Sequence, residues 1–266
     1  MRYNTLFRPA LLALTLTLGA AQASTGVTID SPRIVYQMQP GGSVTGIVNV
    51  QNPGFDLDGV RVNVKHNDWL LTLQGDPQFL SPGSHPRSLS NWLNLPNSDF
   101  ALALNGSRDV RYTIQVPQDA KPGLYWGVLF FNGQGKASTE KVEKGVKLQF
   151  NVNVGHVIYV KVGGVSVEGK ITGMKSTLEG GKLTVSSTVR NSGTMYLNLT
   201  GRVELRDSSG KVVAQKPVQN GLVLPGYSRV LDSSFENLAT GKYLALALFE
   251  YEPGKFYTGE LAVTIP

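Results

Sequence analysis

Between Val146 and Val162 the chain reads V-K-L-Q-F-N-V-N-V-G-H-V-I-Y-V-K-V. Its even positions are Val146, Leu148, Phe150, Val152, Val154, His156, Ile158, Val160 and Val162, apolar throughout except for one imidazole. The odd positions are Lys147, Gln149, Asn151 and Asn153, softening to Val157 and Tyr159 after Gly155. A helix would scatter these apolar residues around its circumference, whereas a period of two puts them on one face of a half-buried β-strand. At roughly 3.3 Å per residue such a strand runs about 55 Å, beyond the usual 3–10 residues. Two readings follow. The stretch is two strands bent at Gly155, or one long strand that closes a domain and offers part of its length to a partner. Its apolar face equally suits the core of its own sandwich.

The N-terminus reads as an export leader. Arg2 and Arg8 form a basic region, Ala10–Ala20 an apolar core, and Ala21-Gln22-Ala23 a small-residue cleavage site. Residues 1–23 are therefore expected to be a signal peptide, with the protein in the periplasm or the extracellular envelope. No later run reaches the ~20 apolar residues of a membrane span. The formal charge of +6 is spread over isolated lysines and arginines, apart from the loop at Lys136–Lys147. No basic stripe points to nucleic acid. Cysteine is absent, which excludes a disulfide scaffold, a thiol nucleophile and thiolate metal sites.

The rest of the chain is punctuated strands. Expected strands are Val27–Tyr36, Ser43–Gln51, Val60–Lys65, Phe100–Leu104, Asp109–Val116 and Leu124–Asn132, with Trp69–Asn97 and Gly133–Gly145 as loops. After Gly163-Gly164 seven more are expected: Gly164–Thr172, Lys182–Arg190, Leu197–Asp207, Lys211–Lys216, Ser228–Phe235, Tyr243–Tyr251 and Phe256–Ile265. The halves repeat one another. Val48–Gly54 and Thr188–Gly193 are apolar strands ending in an Asn-x-Gly turn, and Gly123-Leu124-Tyr125 corresponds to Gly241-Lys242-Tyr243. A glycine turn followed by tyrosine at a strand entrance matches the tyrosine corner of immunoglobulin-like sandwiches. The fold class expected is all-β: two tandem immunoglobulin-like sandwiches over residues 24–163 and 164–266.

Catalytic and metal chemistry is sparse. His66, His85 and His156 lie in different elements without ligand spacing, and His156, on the apolar face, reads as a core or interface imidazole. No nucleophile elbow or phosphate loop occurs. Asp56 and Asp58 supply two carboxylates, fewer than the roughly 6–8 oxygens calcium takes. The expectation is a non-enzymatic protein without metal or cofactor. Trp69 and Trp92 flank a proline-rich loop, where they either pack or form an aromatic ligand platform; Trp126 reads as core.

Arg33-Ile34-Val35-Tyr36, a glycine turn, and Thr45–Asn52 together resemble the first two strands of the periplasmic pilus-assembly chaperones, the PapD-like family. The loop Gly133–Gly145 with the long strand after it is similar to that family's sixth-to-seventh-strand region. The resemblance implies capture of a secreted or pilus subunit by β-strand addition. Leu148, Phe150, Val152 and Val154 would be the donor residues. In the family an arginine on the first strand and a lysine on the seventh hold the subunit's terminal carboxylate. Arg33 stands at the arginine's place; the lysine's place falls near Val157, with Lys147 and Lys161 to either side. A second pattern, Asn91-Trp92, Phe100, Val116-Pro117 and Ala120-x-Pro122-Gly123-x-Tyr125-x-Gly127, resembles WxL-interacting cell-surface proteins. It implies the alternative: a structural or adhesive envelope protein binding a protein or glycan through the loops around Trp69 and Trp92.

Overall fold

The computed structural model describes residues 26–54, 59–135 and 152–266. Among the described residues ten strands form the first half: β1 (Thr28–Ile29), β2 (Arg33–Met38), β3 (Ser43–Gln51), β4 (Val60–Leu71), β5 (Pro77–Leu80), β6 (Leu93–Asn94), β7 (Asp99–Leu102), β8 (Ser107–Gln115), β9 (Gly123–Gly135) and β10 (Val152–Val162). One sheet has the order β1-β3-β8-β6, and the other β2-β10-β9-β4-β5, with β7 also on β4. Alternation decides which side chains meet between them. Val48 and Val50 of β3, Val110, Tyr112 and Ile114 of β8, Val62 and Val64 of β4, and Ile158, Val160 and Val162 of β10 form one buried core.

Seven strands form the second half: β11 (Gly169–Glu179), β12 (Lys182–Asn191), β13 (Leu197–Arg206), β14 (Val212–Val223), β15 (Ser228–Phe235), β16 (Gly241–Glu252) and β17 (Lys255–Ile265). The sheets β11-β12-β15 and β14-β13-β16-β17 enclose a second core. The protein is all-β, two immunoglobulin-like sandwiches in tandem. Among the described residues no helix is long and apolar enough to cross a membrane.

The repeated motifs have the same geometry in both halves. Tyr125 Oη donates to the Lys121 carbonyl at 3.0 Å, and Tyr243 Oη to the Ala239 carbonyl at 2.7 Å, so both corners are formed. At the other end, buried Asn52 and Asn191 accept the N–H two residues on, from Gly54 at 3.3 Å and Gly193 at 2.9 Å. Each amide also donates to backbone carbonyls, which satisfies a loop that a sandwich cannot otherwise bury.

Three expectations change. Trp69–Asn97 is not all loop: β4 runs on to Leu71, and β5 pairs with it from Leu80 to Pro77 while β6 pairs with β8. Prolines there still obey the edge rule, since Pro77 begins its strand. Strand β9 continues to Gly135, because β4 pairs with it as far as Val60 opposite Gly135. Strand β14 continues past Lys216 to Val223, with Pro217 tolerated on a sheet edge.

The halves share a third apolar cluster. Trp69, Leu124, Trp126, Val128 and Tyr159 on the outer face of the β9 sheet pack with Leu224, Met195, Tyr196, Leu222 and Tyr227 of the second half. Backbone bonds cross the same junction, from Leu124 N to Thr194 O at 2.8 Å and from Val230 N to Leu73 O at 2.7 Å. Burial on both faces explains why Leu124–Asn132 is so apolar.

Candidate functional site

The feature that sets the site is a mismatch in strand length. Strand β10 pairs antiparallel with β9 over its whole length, Val152 opposite Gly133 to Val162 opposite Gly123. On its other side β2 pairs parallel only from Arg33 opposite Val157 to Met38 opposite Val162. Among the described residues, Val152–His156 therefore have a strand on one side and an open backbone edge on the other. Strand β10 passes through Gly155 without a break.

The edge opens because the first strand changes sheets. β1 pairs with β3 in one sheet, and after Ser31-Pro32 the chain enters the other as β2. Pro32 has no N–H to add to a ladder, but its carbonyl accepts Val157 N–H at 2.9 Å. Because alternate residues of a strand direct their N–H and C=O to opposite sides, Asn153 and Gly155 present theirs to the same open edge as Val157.

His156 fastens this crossing. Its buried Nδ1 faces the Ser31 carbonyl, which only accepts, so Nδ1 carries the hydrogen. Nε2 is then an acceptor and receives Tyr112 Oη–H at 2.9 Å, and Tyr36 Oη lies 3.0 Å from Tyr112 Oη. The relay ties β2 and β10 to β8 across the core. Burial pushes the His156 imidazole below its ordinary pKa, opposed in part by the Ser31 carbonyl and the Asp30 carboxylate. Burial also pushes the Tyr112 phenol up, reinforced by its bond to Tyr36. Gly46 stands opposite Tyr112 in the β3–β8 pair, and a Cβ there would come within 2.2 Å of the ring. Glycine is what lets the ring lie across β3.

The predicted partner-binding residues fall as follows. Arg33 is exposed at the start of β2, near enough to Tyr159 to lower its phenol pKa slightly, though burial and Tyr196 together push it up to about 12. Opposite Arg33 is Val157, half-buried and uncharged, so the pair carries one cation. Lys161 is opposite Gln37 further along β10. Val154 is half-buried and packs against the first core. Val152 has its backbone paired to Gly133. Leu148, Phe150 and Lys147, the expected leader at residues 1–23, and Asp56 and Asp58 lie outside the described residues.

Trp69 and Trp92 do not share a surface. Trp69 is 7% exposed within the cluster between the halves. Trp92 packs on the first core with Tyr125 at 4.1 Å. Trp126 is fully buried, as expected, and donates its indole N–H to the Trp69 carbonyl at 2.8 Å.

Sequence reasoning missed one hub. Asp68 is fully buried; its carboxylate accepts Ser84 N–H at 2.7 Å, Ser88 Oγ–H at 2.6 Å and Ser90 Oγ–H at 3.0 Å. His85 Nε2 is 3.9 Å away, and its ring stacks on Trp126 at 4.5 Å. His85 Nδ1 accepts Arg87 N–H at 3.2 Å, which places the ring hydrogen on Nε2, facing the carboxylate. Burial holds this imidazole also below its ordinary pKa, against the pull of Asp68. The carboxylate bonds serines directly rather than orienting the histidine onto one, so the group is a loop anchor and not a nucleophile relay. Its signal was the phase: Asp68 continues the inward parity of Val60, Val62 and Val64.

No family model matches the chain, and no curated protein does. Solved structures align over most of it. The class 5 fimbriae chaperone CfaA covers 91% of this chain and 100% of its own at 11% identity, with a TM-score of 0.49. A chain of the Salmonella enterica SafA pilin–SafB chaperone complex covers 90% and 96% at 12% identity and 0.41. The E. coli chaperone DraB covers 91% and 97% at 16% identity and 0.41.

Proposed function

We propose that the protein is an exported, non-enzymatic chaperone-like binding protein that captures an extended segment of a secreted subunit along the open edge of β10. The observation that carries this reading is the five-strand order ending in β2-β10, in which β10 outruns β2 at Val152–His156. An edge with free N–H and C=O groups is a template for an incoming strand, with backbone pairing giving affinity and alternate side chains giving selectivity. Val154 supplies one apolar contact at the edge, and the sequence repeats the same alternation upstream at Val152, Phe150 and Leu148. Arg33, exposed where β2 begins, is the cation for a carboxylate on the partner. Residues 24–163 would form the capturing sandwich and 164–266 its brace.

Asn153→Pro tests this without touching the β9 ladder, because the Asn153 N–H points to the open edge. The tagged wild type is to be compared with Asn153→Pro and Arg33→Ala in capture from an envelope fraction, with the partner identified by mass spectrometry. Amide exchange of Asn153 and Gly155 is then measured with and without it. The expected result is a β-rich secreted subunit that protects both amides and is lost in Asn153→Pro while the melting temperature holds. Equal capture by Asn153→Pro, or a partner that leaves both amides unprotected, overturns the reading.

A further inference from the structure

The outer face of the β10-β9-β4 sheet changes character along its length. On β9 its residues are Leu124, Trp126, Val128, Phe130, Asn132 and Gln134; the first three are buried in the cluster with the second half, and partly buried Phe130 packs at its margin. Beyond them lies an open depression of about 430 Å³ lined chiefly by Asn63, Lys65, Phe130, Asn132, Gln134 and Asn153. Register puts Asp99, Asn63, Asn132 and Asn153 in a single row across four strands. Arg61 opposite Gln134 begins the neighbouring row.

The amides are held in place. Asn132 Nδ2 donates to Asn153 Oδ1 at 2.6 Å, and Asn63 Nδ2 to the Ser98 carbonyl at 3.4 Å. Asn132 Oδ1 is buried with no hydrogen-bond partner among the described residues. On either side of it the amides of Asn153 and Gln134 are exposed to the depression. Charge is cancelled at the rim: Arg61 Nε and Nη2 bond the two Asp99 carboxylate oxygens, each at 2.9 Å. Next to the amides Phe130 and Phe79 meet edge to face at 4.7 Å, and Phe79 is 54% exposed.

We propose that this face binds a neutral, hydroxyl-rich oligosaccharide. A sugar hydroxyl both donates and accepts, which is what a fixed primary amide needs, and its C–H face suits an exposed aromatic ring. Amides in one row repeat at about the 4.8 Å spacing of adjacent strands, comparable to the advance of a sugar chain per residue. A polyanion would find the arginine already paired and one lysine. An extended peptide would pair with the edge, not the face. The inference stands independently of strand capture.

The test uses the full chain with cello-, malto-, manno- and chitohexaose as probes, a heparin hexasaccharide as the anionic comparison, and calorimetry or ligand-observed NMR as the readout. Variants Asn132→Ala and Phe79→Ala are checked for fold by circular dichroism. At least one neutral hexaose is expected to bind, and each variant to weaken it about tenfold or more, the loss of one buried polar or stacking contact. No binding of any neutral hexaose at about 10 mM, a range that reaches the weakest useful affinities, overturns the proposal. So does binding unchanged in either variant, tighter binding of the heparin probe, or self-association abolished by Asn132→Ala.

Discussion

Acidification should weaken this fold well before its carboxylates titrate. His156 and His85 are buried and His66 is half-buried, and burial is the leading cause of a lowered pKa in all three. In the unfolded chain each returns to about 6.5. The folded state thus binds fewer protons than the unfolded one below that pH, so stability is intact above about 6.5 and falls as the pH drops through it, levelling only below the folded values. Each buried histidine contributes at most about 1.4 kcal/mol per pH unit. His156 and His85 act in the same direction, with a smaller part from half-exposed His66. The carboxylates of Asp99 and Glu204 are lowered by their arginine partners, so their losses come later, as the pH falls through about 4. Urea unfolding followed by tryptophan fluorescence at intervals from pH 7.5 to 5 reads this directly. The midpoint should fall progressively once the pH drops below about 6.5. His156→Gln should remove its share of the slope. A midpoint unchanged between pH 7 and 5, or a slope unaltered in His156→Gln, refutes the argument.

Two further outcomes follow from the hydrogen bonds. Asp68→Ala strands the Ser84 N–H and two serine hydroxyls; the hydroxyls can turn to each other or to water but the amide cannot, so about 3 kcal/mol should be lost, read by chemical denaturation, with exchange rising first at Ser84. Tyr125→Phe and Tyr243→Phe each remove one corner bond and should each cost about 1 kcal/mol; lying in separate cores, they should add within about 0.5 kcal/mol in the double variant by thermal melting.

What could be read from the sequence was what local pattern encodes. In β3, β8 and β12 the buried side chains follow the alternation residue by residue. Both Asn-x-Gly turns and both tyrosine corners are local bonds, spanning two to four residues, so their motifs carried over intact. Strands β5 and β6 were not legible. They are short, and β5 exists because Asp68–Leu71 offers it an edge across the tight Thr72–Asp76 turn. Asp68 was missed for a related reason: its partners lie 16 to 22 residues away, and only their convergence makes a buried carboxylate tolerable. The open edge itself depends on where β2 starts relative to β10, a register that Pro32 marks but alternation does not.

The sorting of the β9 outer face ties these sites together. Opposite Leu124–Val128, the residues Val157–Lys161 of β10 have β2 on their edge, and the second half covers the face. Opposite Leu129–Gly133, the residues Val152–His156 have no β2 partner among the described residues, and Phe130 marks the margin of the covered face. The brace and the edge strand stop near the same register, so the uncovered face and the uncovered edge occupy one end of the sheet and meet at Asn153. Its backbone borders the open edge while its side chain ends the amide row. A strand added there would extend that row sideways without covering it, since added strands lie in the sheet plane and sugars would lie upon it. Asn153→Pro alters both features, whereas Asn132→Ala and Phe79→Ala alter only the face and Arg33→Ala only the edge. The single-feature variants therefore separate strand capture from sugar binding even where the two sites touch.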